Sequence, residues 1–422
     1  MGTGPRFFLS TMLFQMRVAI IGQGYVGLTI TSGALSAGFE VLGVDKNQSV
    51  VEGLNSGKSH IEGISDEQIA QGVAEKRFRA SNNFEKIEGS EVIVIAVPTP
   101  LDHKGNPDLA LVESASDSIA NFLSENTLVI NESTSYAGTL RNVIAARIRA
   151  INPKVRHFAV SPERVDPGNM NYGIKNTPRL VGGLTDEAID RAVSFYSAFC
   201  DHVVKVSSPE VAESAKLLEN SFRFINIGFI NEFAQLMNTM NIPVSEVISA
   251  AATKPYGFMP FFPNVGIGGH CIPVDPLYLQ KSAKDYGVES RYIKLSEELN
   301  HEMPRYSVDR LDEISGGIKG KHCLVVGVSY KADISDTRES PAQSVIDHLR
   351  KKGARVSWHD PLVASFDGDT SSPVVGDYDL ALVLVKHQSL DLSNWQGKRI
   401  YCVNAIVSEP DWIPILGSRN SH

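Results

Sequence analysis

The residue with the greatest capacity for covalent chemistry in this sequence is Cys271, which lies in a loop rich in glycine. Gly266, Gly268 and Gly269 precede the cysteine, and Asp275 follows it at the predicted start of a helix. Glycines allow a ligand to approach the backbone closely, and a helix N-terminus or a nearby cation favours the nucleophilic thiolate. Most lone cysteines are inert core residues. The glycine-rich surroundings favour a functional thiol over that alternative.

Two further pairs of residues could bind oxygen atoms. Lys216 and Asn220 are four residues apart on a predicted helix, so they share one face and present an ammonium and an amide together. Taken alone, this pair is more typical of a snorkelling lysine beside a core asparagine. Lys331 and Arg338 lie in a polar loop after a predicted strand, where two cations suit phosphates. Alternating charges on a solvated loop are an equally good explanation of that pair.

A dinucleotide-binding turn is predicted near the N-terminus. Three glycines form a GxGxxG pattern between a predicted strand and a predicted helix, and Asp45 ends the next strand. Such glycines bring backbone N–H groups to a pyrophosphate, and the helix N-terminus adds positive charge. The Asp45 carboxylate would hydrogen-bond the ribose hydroxyls and repel a 2′-phosphate, which favours NAD⁺ over NADP⁺. The residues predicted to contact the cofactor at this turn are Gly22, Gly24, Tyr25, Val26, Gly27 and Asp45.

Polar residues also follow three other predicted strands. Pro98 and Thr99 follow the first, Thr134 follows the second, and Glu163 and Arg164 follow the third. In a doubly wound sheet these carboxyl ends face the ligand crevice. For Pro98 and Thr99 the alternative is a proline-rich turn, and for Glu163 considered alone a structural role is slightly favoured.

Alternating strands and helices predict an α/β fold with two Rossmann-like, doubly wound domains joined by a central region of long helices. The first domain is predicted over 16–205, the helical region over 206–315 and the second domain over 316–422, and the leader 1–15 is expected to be disordered. The predicted strands are 16–22, 39–45, 91–97, 126–131, 157–161 and 179–182 in the first domain, and 322–328, 355–360 and 378–385 in the second.

Composition narrows the possible partners. The chain has 422 residues, a formal net charge of −8 and no block of basic residues, which argues against a nucleic-acid or anionic-membrane partner. The four cysteines lie far apart without metal-ligand spacing, so a reduced, cytoplasmic protein with no structural metal is expected. No stretch of the sequence has the length and apolarity of a transmembrane helix.

Seven motifs occur in an order that is typical of one enzyme family. They are GQGYVG, VPTP, ESTSYAGT, SPERVDPGN, KLLENSFRFINIGFINE, GIGGHCIPVDP and SYKADISDTRESP. With these motifs the chain resembles the UDP-glucose/GDP-mannose dehydrogenase family. The resemblance implies an N-terminal NAD⁺ domain, a central helical dimerisation region and a C-terminal UDP-binding domain. It also implies NAD⁺ as cofactor, a UDP-sugar as substrate and a homodimer or higher homo-oligomer as the assembly.

The resemblance further implies a role for each candidate residue. Cys271 would capture the aldehyde from a first hydride transfer as a thiohemiacetal, and a second transfer would give a thioester that water hydrolyses, so two NAD⁺ are used per sugar. Lys216 would steady the oxygen at C6, helped by Asn220. The residues implied to position water and move protons are Thr134, Glu163 and Asp275. Further NAD⁺ contacts are implied for Pro98, Thr99, Thr134 and Arg338, and substrate contacts for Glu163, Arg164, Lys216, Asn220, Phe262, Gly268 and Lys331.

The motifs also resemble one subclass of that family. SPERVDPGN, AATKPYGFMPFFP and GGHCIPVDP are similar to enzymes acting on UDP-N-acetylhexosamines, particularly the UDP-N-acetyl-D-glucosamine 6-dehydrogenases. UDP-N-acetylmannosamine and UDP-glucose are the alternative substrates. A simple two-electron dehydrogenase of the 3-hydroxy acid type is a rival, but it needs neither the Cys271 loop nor a second nucleotide module. A catalytically silent nucleotide-sugar binding protein would be expected to lack Cys271 or Lys216.

Overall fold

The computed structural model describes residues 16–61, 63–165, 169, 171–395, 397 and 399–417. The chain divides into two compact units, Met1–Leu218 and Glu219–His422. The predicted leader, 1–15, lies outside the described residues. The predicted domain boundaries at 205/206 and 315/316 stay predictions.

The first unit is built on one eight-stranded sheet with the strand order β3-β2-β1-β4-β5-β6-β7-β8. All neighbouring strands are parallel except β6 and β7, which are antiparallel. The strand order reverses at β1 and β4, which is the topological switch point where doubly wound sheets bind ligands. The strands are β1 Arg17–Ile21, β2 Glu40–Val44, β3 Phe78–Ser81, β4 Val92–Ile95, β5 Leu128–Asn131, β6 His157–Val160, β7 Arg179–Gly183 and β8 Val203–Lys205.

The central strands of this sheet are apolar on both faces because helices cover both faces. In β1, Val18, Ala19, Ile20 and Ile21 are at most 2% exposed. The helices of the first unit are α1 Tyr25–Ser36, α2 Gln48–Asn55, α3 Asp66–Ala74, α4 Ala110–Ala120, α5 Ala146–Ile151 and α6 Asp186–Ser197, with a 3-10 turn at Phe84–Ile87 and a π-helical segment at Leu140–Ala145 that continues into α5.

Three of these helices begin at polar side chains that satisfy backbone N–H groups. Asn47 accepts from the N–H of Ser49 before α2, Ser65 accepts from Gln68 before α3, and Thr185 accepts from Ala188 before α6. By contrast, the residue before α1 is Gly24, which makes no side-chain hydrogen bond to the helix. Helix α1 therefore leaves its N-terminal N–H groups available to a ligand.

A single long helix, α7 Pro209–Thr239, contains the boundary between the two units. Its 31 residues give a length of about 46 Å at 1.5 Å per residue. The second unit continues with α8 Val244–Ala252, α9 Asp275–Asp285, α10 Arg291–Ile314 and α11 Ala342–Lys351.

The second unit also contains a five-stranded parallel sheet with the order β10-β9-β13-β14-β15. Its main core packs α10 and α11 against this sheet, with residues such as Leu311, Val325 and Leu349 fully buried. The strands are β9 His322–Val326, β10 Arg355–His359, β13 Leu380–Val383, β14 Arg399–Cys402 and β15 Ile413–Pro414, and β11 Ser365–Phe366 and β12 Asp369–Thr370 form a separate hairpin.

The predicted fold class is confirmed, with two parallel α/β sheets and a helical region between them in the sequence. Each predicted strand is present with its ends within two residues of those expected. The prediction missed β3, β8, β14, β15 and the hairpin, because these strands are short and partly polar. It also missed the antiparallel pairing of β6 with β7. A parallel partner usually requires a crossover helix, and the described residues between β6 and β7 contain none.

Candidate active site

The predicted dinucleotide-binding turn lies at the switch point of the first sheet. Gly22 has a φ of +90°, and a Cβ there would lie 2.4 Å from the carbonyl oxygen of Ala96 at the end of β4. A Cβ at Gly27 would lie 1.8 Å from the Gly22 carbonyl oxygen. A Cβ at Gly24, in contrast, would meet no atom within 4 Å. Two glycines are therefore required for packing, and the third leaves open space where a pyrophosphate can approach.

The carboxylate of Asp45 lies directly beside this turn. It accepts the backbone N–H of Gln23 over 2.8 Å and that of Asn47 over 2.9 Å. Sequence reasoning missed Gln23, which is fully buried and donates to the Ile20 carbonyl over 3.0 Å. Each Asp45 oxygen retains a second acceptor site for a ribose hydroxyl. Tyr25 and Val26, also predicted to contact the cofactor, are half-buried in the first turn of α1.

The loops after β4 and β5 are joined by Ser133. Its hydroxyl donates to the Val97 carbonyl over 2.8 Å and accepts from the Val97 N–H over 2.9 Å. Pro98, which follows, is exposed and Thr99 is half-buried. The structure thus brings two of the predicted strand-end segments together at the edge of the sheet that carries the glycine turn.

Thr134 and Lys216 are in contact, as residues implied to act on the same reaction should be. The ammonium of Lys216 on α7 donates to Thr134 Oγ1 over 2.7 Å. Lys216 is 8% exposed, so its charge is held in a site with little water. A cation in such a site interacts strongly with a developing negative charge on oxygen.

Arg179, the first residue of β7, is buried between two carboxylates. It donates to Glu132 over 2.8 Å and to Glu163 over 2.8 Å, and the Tyr196 hydroxyl makes a short hydrogen bond to Glu132. The sequence analysis missed Glu132, Arg179 and Tyr196. An arginine that opens a buried strand is a usable signal, because a buried cation needs anionic partners.

The two carboxyl groups around Arg179 differ in their hydrogen-bond donors. Glu163 Oε1 accepts the backbone N–H groups of Arg164 over 2.6 Å and Val165 over 2.7 Å. Burial by itself would raise the pKa of Glu163, but the Arg179 charge and the Val165 N–H outweigh burial and hold the pKa below its usual value. Burial raises the pKa of Glu132 to about 8, despite the Arg179 charge. The Arg179 charge thus favours the ionised form of Glu163, whereas burial favours the protonated form of Glu132.

In the second unit, Cys271 lies in the turn that leads into helix α9. Its carbonyl oxygen accepts the N–H groups of Val274 over 3.1 Å and Asp275 over 2.8 Å. The other three cysteines are buried, and burial raises the pKa of Cys200 and Cys323 to about 12 and that of Cys402 to about 11. Cys271 is only half-buried. The Cys271 thiol is therefore accessible to water and to a substrate, and the start of α9 lies nearby to favour its thiolate form.

The glycines before Cys271 are explained by the segment packed against them. A Cβ at Gly268 would lie 2.6 Å from the Glu339 carbonyl oxygen, and a Cβ at Gly269 would lie 2.8 Å from the Tyr330 ring. The Gly269 N–H donates to the Arg338 carbonyl over 3.0 Å. The predicted need for close approach at these glycines thus has a specific cause: the loop after β9 lies against the Cys271 loop.

Amide side chains from distant parts of the second unit hold the Cys271 loop. Asn300 on α10 accepts the Ile267 N–H over 2.7 Å and donates to the Ile267 carbonyl over 3.3 Å. Asn231 on α7 accepts the Asn264 N–H over 2.8 Å, and Asn404 donates to the Pro263 carbonyl over 2.7 Å. The sequence analysis missed these residues, since a lone asparagine carries no signal of its partner.

Asn220 and Asp275, which the family resemblance implies in different roles, are joined by a hydrogen bond. The Asn220 amide donates to Asp275 Oδ2 over 2.6 Å, and Asp275 is 1% exposed. This hydrogen bond joins α7 to the first residue of α9, four residues after the cysteine. The Asp275 carboxylate is thereby held at the helix start that carries the thiol.

The remaining predicted residues occupy different surroundings. Arg338 is exposed and pairs with Asp336 over 2.5 Å; this hydrogen bond raises the pKa of Arg338, with a smaller contribution from the Cys271 charge. The positive charge of Arg338 and a negative charge on Cys271 thus stabilise each other. Lys331 is half-buried in the same loop. Phe262 packs beside the cluster between α7 and α8, and Arg164 in the first unit donates to the Pro178 carbonyl over 2.7 Å.

Two other kinds of site are absent from the described residues. Within the ranges described above, no cluster of three or more His, Cys, Asp or Glu side chains is arranged to hold a metal ion. Among the same residues no helix has the length and apolar content needed to cross a membrane.

Three models of a single protein family match this chain in order. The NAD binding domain matches residues 16–200, the central domain residues 210–302 and the UDP binding domain residues 324–407. The chain belongs to the UDP-glucose/GDP-mannose dehydrogenase family. It is accordingly an NAD-dependent UDP-sugar dehydrogenase, an oxidoreductase with NAD as its cofactor. Three features of the first unit fit that cofactor. The open space at Gly24 and the start of α1, which has no side-chain cap, suit the pyrophosphate, and the Asp45 carboxylate suits the ribose hydroxyls.

Individual relatives of this dehydrogenase cover most of its length. A UDP-N-acetyl-D-mannosamine dehydrogenase from Pyrococcus horikoshii is 32% identical over 390 residues, which are 90% of this chain and 92% of the relative. A UDP-N-acetyl-D-glucosamine 6-dehydrogenase from Pseudomonas aeruginosa is 31% identical over 393 residues, 88% of this chain and 91% of the relative. A solved structure of a UDP-D-ManNAc dehydrogenase from Pyrococcus horikoshii has a TM-score of 0.87 at 29% identity, covering 96% of this chain and 100% of that one.

The raised pKa of Glu132 predicts how stability depends on pH. The folded protein holds a proton on Glu132 up to about pH 8, whereas the unfolded chain loses it near pH 4.5. Stability contributed by this group therefore decreases as pH rises between these two values. Glu132→Gln keeps a neutral acceptor for Arg179 and removes the titration. We expect the melting temperature of this variant to fall less between pH 6 and pH 8 than that of the unchanged dehydrogenase, measured by differential scanning calorimetry.

Glu67→Gln is the matched control for this experiment, because Glu67 is exposed on α3. It should leave the pH dependence of the melting temperature unchanged. Equal slopes for Glu132→Gln and the unchanged dehydrogenase would show that Glu132 is already ionised at pH 6.

Proposed function

We propose that this dehydrogenase carries out a four-electron oxidation at C6 of a UDP-N-acetylhexosamine, converting the primary alcohol to a carboxylate through covalent intermediates on Cys271. The observation that carries this proposal is the position of Cys271. It is the half-buried cysteine among four, and it lies at a helix start beside the Arg338 cation. A two-electron alcohol dehydrogenase would have no use for such a thiol.

The chemistry explains why a nucleophile is needed. Two NAD⁺ molecules, bound one after the other, would each accept one hydride. The C6 hydrogen of an aldehyde is not readily lost as hydride until a nucleophile has added to the carbonyl carbon. The Cys271 thiolate makes that tetrahedral adduct, a thiohemiacetal. Loss of its C6 hydrogen as hydride leaves a thioester. Water then attacks the thioester carbon, the Cys271 thiolate leaves, and the product is the carboxylate.

The first unit supplies the residues proposed to manage charge on the C6 oxygen. The Lys216 ammonium, held by Thr134 over 2.7 Å, stabilises the alkoxide or oxyanion. Glu163 is ionised and already accepts three N–H groups, so its remaining acceptor capacity suits orienting a water molecule better than removing a proton. Arg164 is proposed to lie at the substrate edge of the same loop.

The second unit supplies the nucleophile and the residues proposed to hold the nucleotide. Asp275, fixed by Asn220 over 2.6 Å, is proposed to orient the hydrolytic water near the thioester. Gly268 and Phe262 are proposed to contact the sugar, and Lys331 the UDP phosphates. Arg338 is proposed to contribute both to NAD⁺ binding and to thiolate stabilisation.

The acetamido group at C2 is the proposed feature of the sugar that this site selects. The Pyrococcus and Pseudomonas relatives described above are both named for UDP-N-acetylhexosamines, and both cover most of this chain. Within that class UDP-N-acetylglucosamine is our first candidate, because the segment AATKPYGFMPFFP before the Cys271 loop resembles that subclass. UDP-N-acetylmannosamine is the second candidate, favoured by the Pyrococcus relative.

The covalent mechanism predicts the stoichiometry of the reaction. Two equivalents of NADH should form for each sugar consumed, because both oxidations occur before product is released. Cys271→Ser should lower kcat on the order of 10³-fold or more, since a serine hydroxyl is not ionised and makes a poorer leaving group than a thiolate. NADH absorbance and mass spectrometry of the sugar measure both quantities.

NAD⁺ binding is the control for the Cys271→Ser variant, because the turn that binds NAD⁺ belongs to the first unit. Its dissociation constant, measured by calorimetry, should stay unchanged. Formation of a single NADH with accumulation of the aldehyde, in the unchanged dehydrogenase, would contradict the four-electron proposal.

The substrate proposal predicts an order among three sugars. We expect kcat/KM to be highest for UDP-N-acetylglucosamine, lower for UDP-N-acetylmannosamine, and lower than the best by about tenfold or more for UDP-glucose, because a pocket built for an acetamido group leaves polar atoms unpaired without it. Steady-state NADH formation with each purified sugar measures this. A tenfold preference for UDP-glucose would overturn the acetamido proposal and leave the reaction type intact.

We also propose that two copies of the chain associate through α7. Three apolar side chains lie exposed on it at seven-residue spacing: Phe222 is 45%, Phe229 60% and Leu236 53% exposed. Met240, directly after its last residue, is 56% exposed. A contiguous apolar stripe along one helix is expected to be covered by a partner. A second copy of α7 is the simplest occupant, because a two-fold axis would bring the same stripe against itself.

Phe229→Asp tests this assembly, because it introduces a charge in the middle of the stripe. We expect the mass from light scattering to fall from that of a dimer to that of a monomer. Ile151→Asp is the matched control, since Ile151 is 42% exposed at the end of α5, and it should remain dimeric. A monomeric unchanged protein at micromolar concentration would contradict the proposal.

A further inference from the structure

A buried histidine, His387, joins the carboxyl ends of three strands in the second unit, and the reaction described above gives it no role. His387 follows β13 and is 1% exposed. Its Nε2 atom lies 3.1 Å from Oδ2 of Asp360, which follows β10, and 3.2 Å from Oγ of Ser329, which follows β9. Its Nδ1 atom accepts the backbone N–H of Asp333 over 2.9 Å.

These contacts determine where the ring carries its proton. A backbone N–H can only donate, so Nδ1 facing Asp333 must be unprotonated, and the neutral ring has its proton on Nε2. The Ser329 hydroxyl donates to the Lys331 carbonyl over 2.8 Å, so its oxygen is free to accept from Nε2. Asp360 accepts as well. Every hydrogen bond around the ring is therefore consistent with a single tautomer.

Asp360 adds backbone hydrogen bonds to the same loop. Its Oδ2 atom accepts the N–H groups of Val328 over 2.8 Å and Ser329 over 3.2 Å. Burial by itself would raise the pKa of Asp360, but the hydrogen bond from His387 and those from backbone N–H groups outweigh burial and leave the pKa lowered. The carboxylate is therefore a charged anchor for the first residues after β9.

The loop fixed in this way is held in an uncommon conformation. Asp333 has a φ of +62°, in the left-handed region that costs a non-glycine residue energy. Its N–H donates to His387, and its Oδ1 atom accepts the Gln388 N–H over 2.7 Å. Residues 387 and 388 thus hold the turn on both sides. Lys331 lies within the loop, between the Ser329 and Asp333 contacts.

From this arrangement we propose that His387 is a positioning residue for nucleotide binding. It holds the backbone of residues 329–333, and so directs the Lys331 ammonium toward the phosphates of the UDP-sugar. Its full burial excludes direct contact with the ligand. This inference rests on the UDP role proposed for Lys331 and assigns a further residue to that site.

Two substitutions separate the two sides of the ring. His387→Asn keeps an acceptor near the Nδ1 position and loses the Nε2 donor, whereas His387→Gln keeps a donor near Nε2 and loses the acceptor for the Asp333 N–H. We expect His387→Gln to weaken UDP binding about tenfold, because a buried N–H is left unpaired. We expect His387→Asn to stay within about threefold of the unchanged dehydrogenase, because that N–H keeps its partner. Calorimetric titration of the purified protein with UDP measures both.

A double-substitution cycle tests whether His387 acts through Lys331. If it does, His387→Gln should weaken UDP binding in the unchanged background but cause no further loss in the Lys331→Met background. The KM for the UDP-sugar should rise in parallel with the UDP dissociation constant. The KM for NAD⁺ should stay within about twofold, because the glycine turn and Asp45, which are predicted to bind NAD⁺, belong to the first unit. His322→Gln is the matched control, because His322 lies at the opposite end of β9, and it should leave UDP binding unchanged.

Three results would overturn the proposal. The first is an unchanged UDP affinity in His387→Gln. The second is an equal loss of UDP affinity in His387→Asn and His387→Gln, accompanied by weaker NAD⁺ binding. The third is that His387→Gln and Lys331→Met lower the UDP affinity independently of each other. Failure of the proposed reaction gives a different result: the unchanged protein would bind UDP but form no NADH with any UDP-N-acetylhexosamine. The UDP titrations would still decide the role of His387 in that case.

Discussion

The parallel arrangement of strands is the constraint on which the rest of this structure depends. Parallel neighbours place their carboxyl ends at one edge of a sheet, whatever their separation in sequence. In the first unit this edge collects the Gly22 turn after β1, Asp45 after β2 and the loops after β4 and β5. In the second unit it collects Ser329, Asp360 and His387. Each set of loops can then form hydrogen bonds that no local segment could form alone.

Desolvation decides which polar groups can react. Burial raises the pKa of three of the cysteines to about 11 or 12. Cys271, in contrast, is only half-buried. Among the carboxyl groups, the Arg179 charge and a backbone N–H hold the pKa of Glu163 below its usual value, while burial raises the pKa of Glu132, which also binds Arg179. Two residues of the same type thus have different pKa values because their hydrogen-bond donors and their exposure to water differ.

Neutral amide and imidazole side chains hold part of the backbone of the reactive loops. Asn300, Asn231 and Asn404 bind the backbone before Cys271, and His387 binds the backbone before Arg338. A buried amide or neutral imidazole satisfies backbone groups without the desolvation cost of a charge. This arrangement can hold a glycine-rich loop in one conformation without adding a buried charge.

The sequence by itself determined the features that depend on local pattern: the strand–turn–helix at Gly22, the Asp45 position, the long helix α7 and the exceptional glycine loop at Cys271. These follow from residue size, periodicity and backbone freedom, which are properties of neighbours in the chain. Tertiary structure decided the partners of polar groups, such as Arg179 with Glu132, and the antiparallel pairing of β6 with β7. A buried polar group must find a hydrogen-bond partner, but the partner is separated from it in sequence by 47 residues for Arg179 and Glu132 and by 54 for His387 and Asp333, so only the folded chain specifies which group it is.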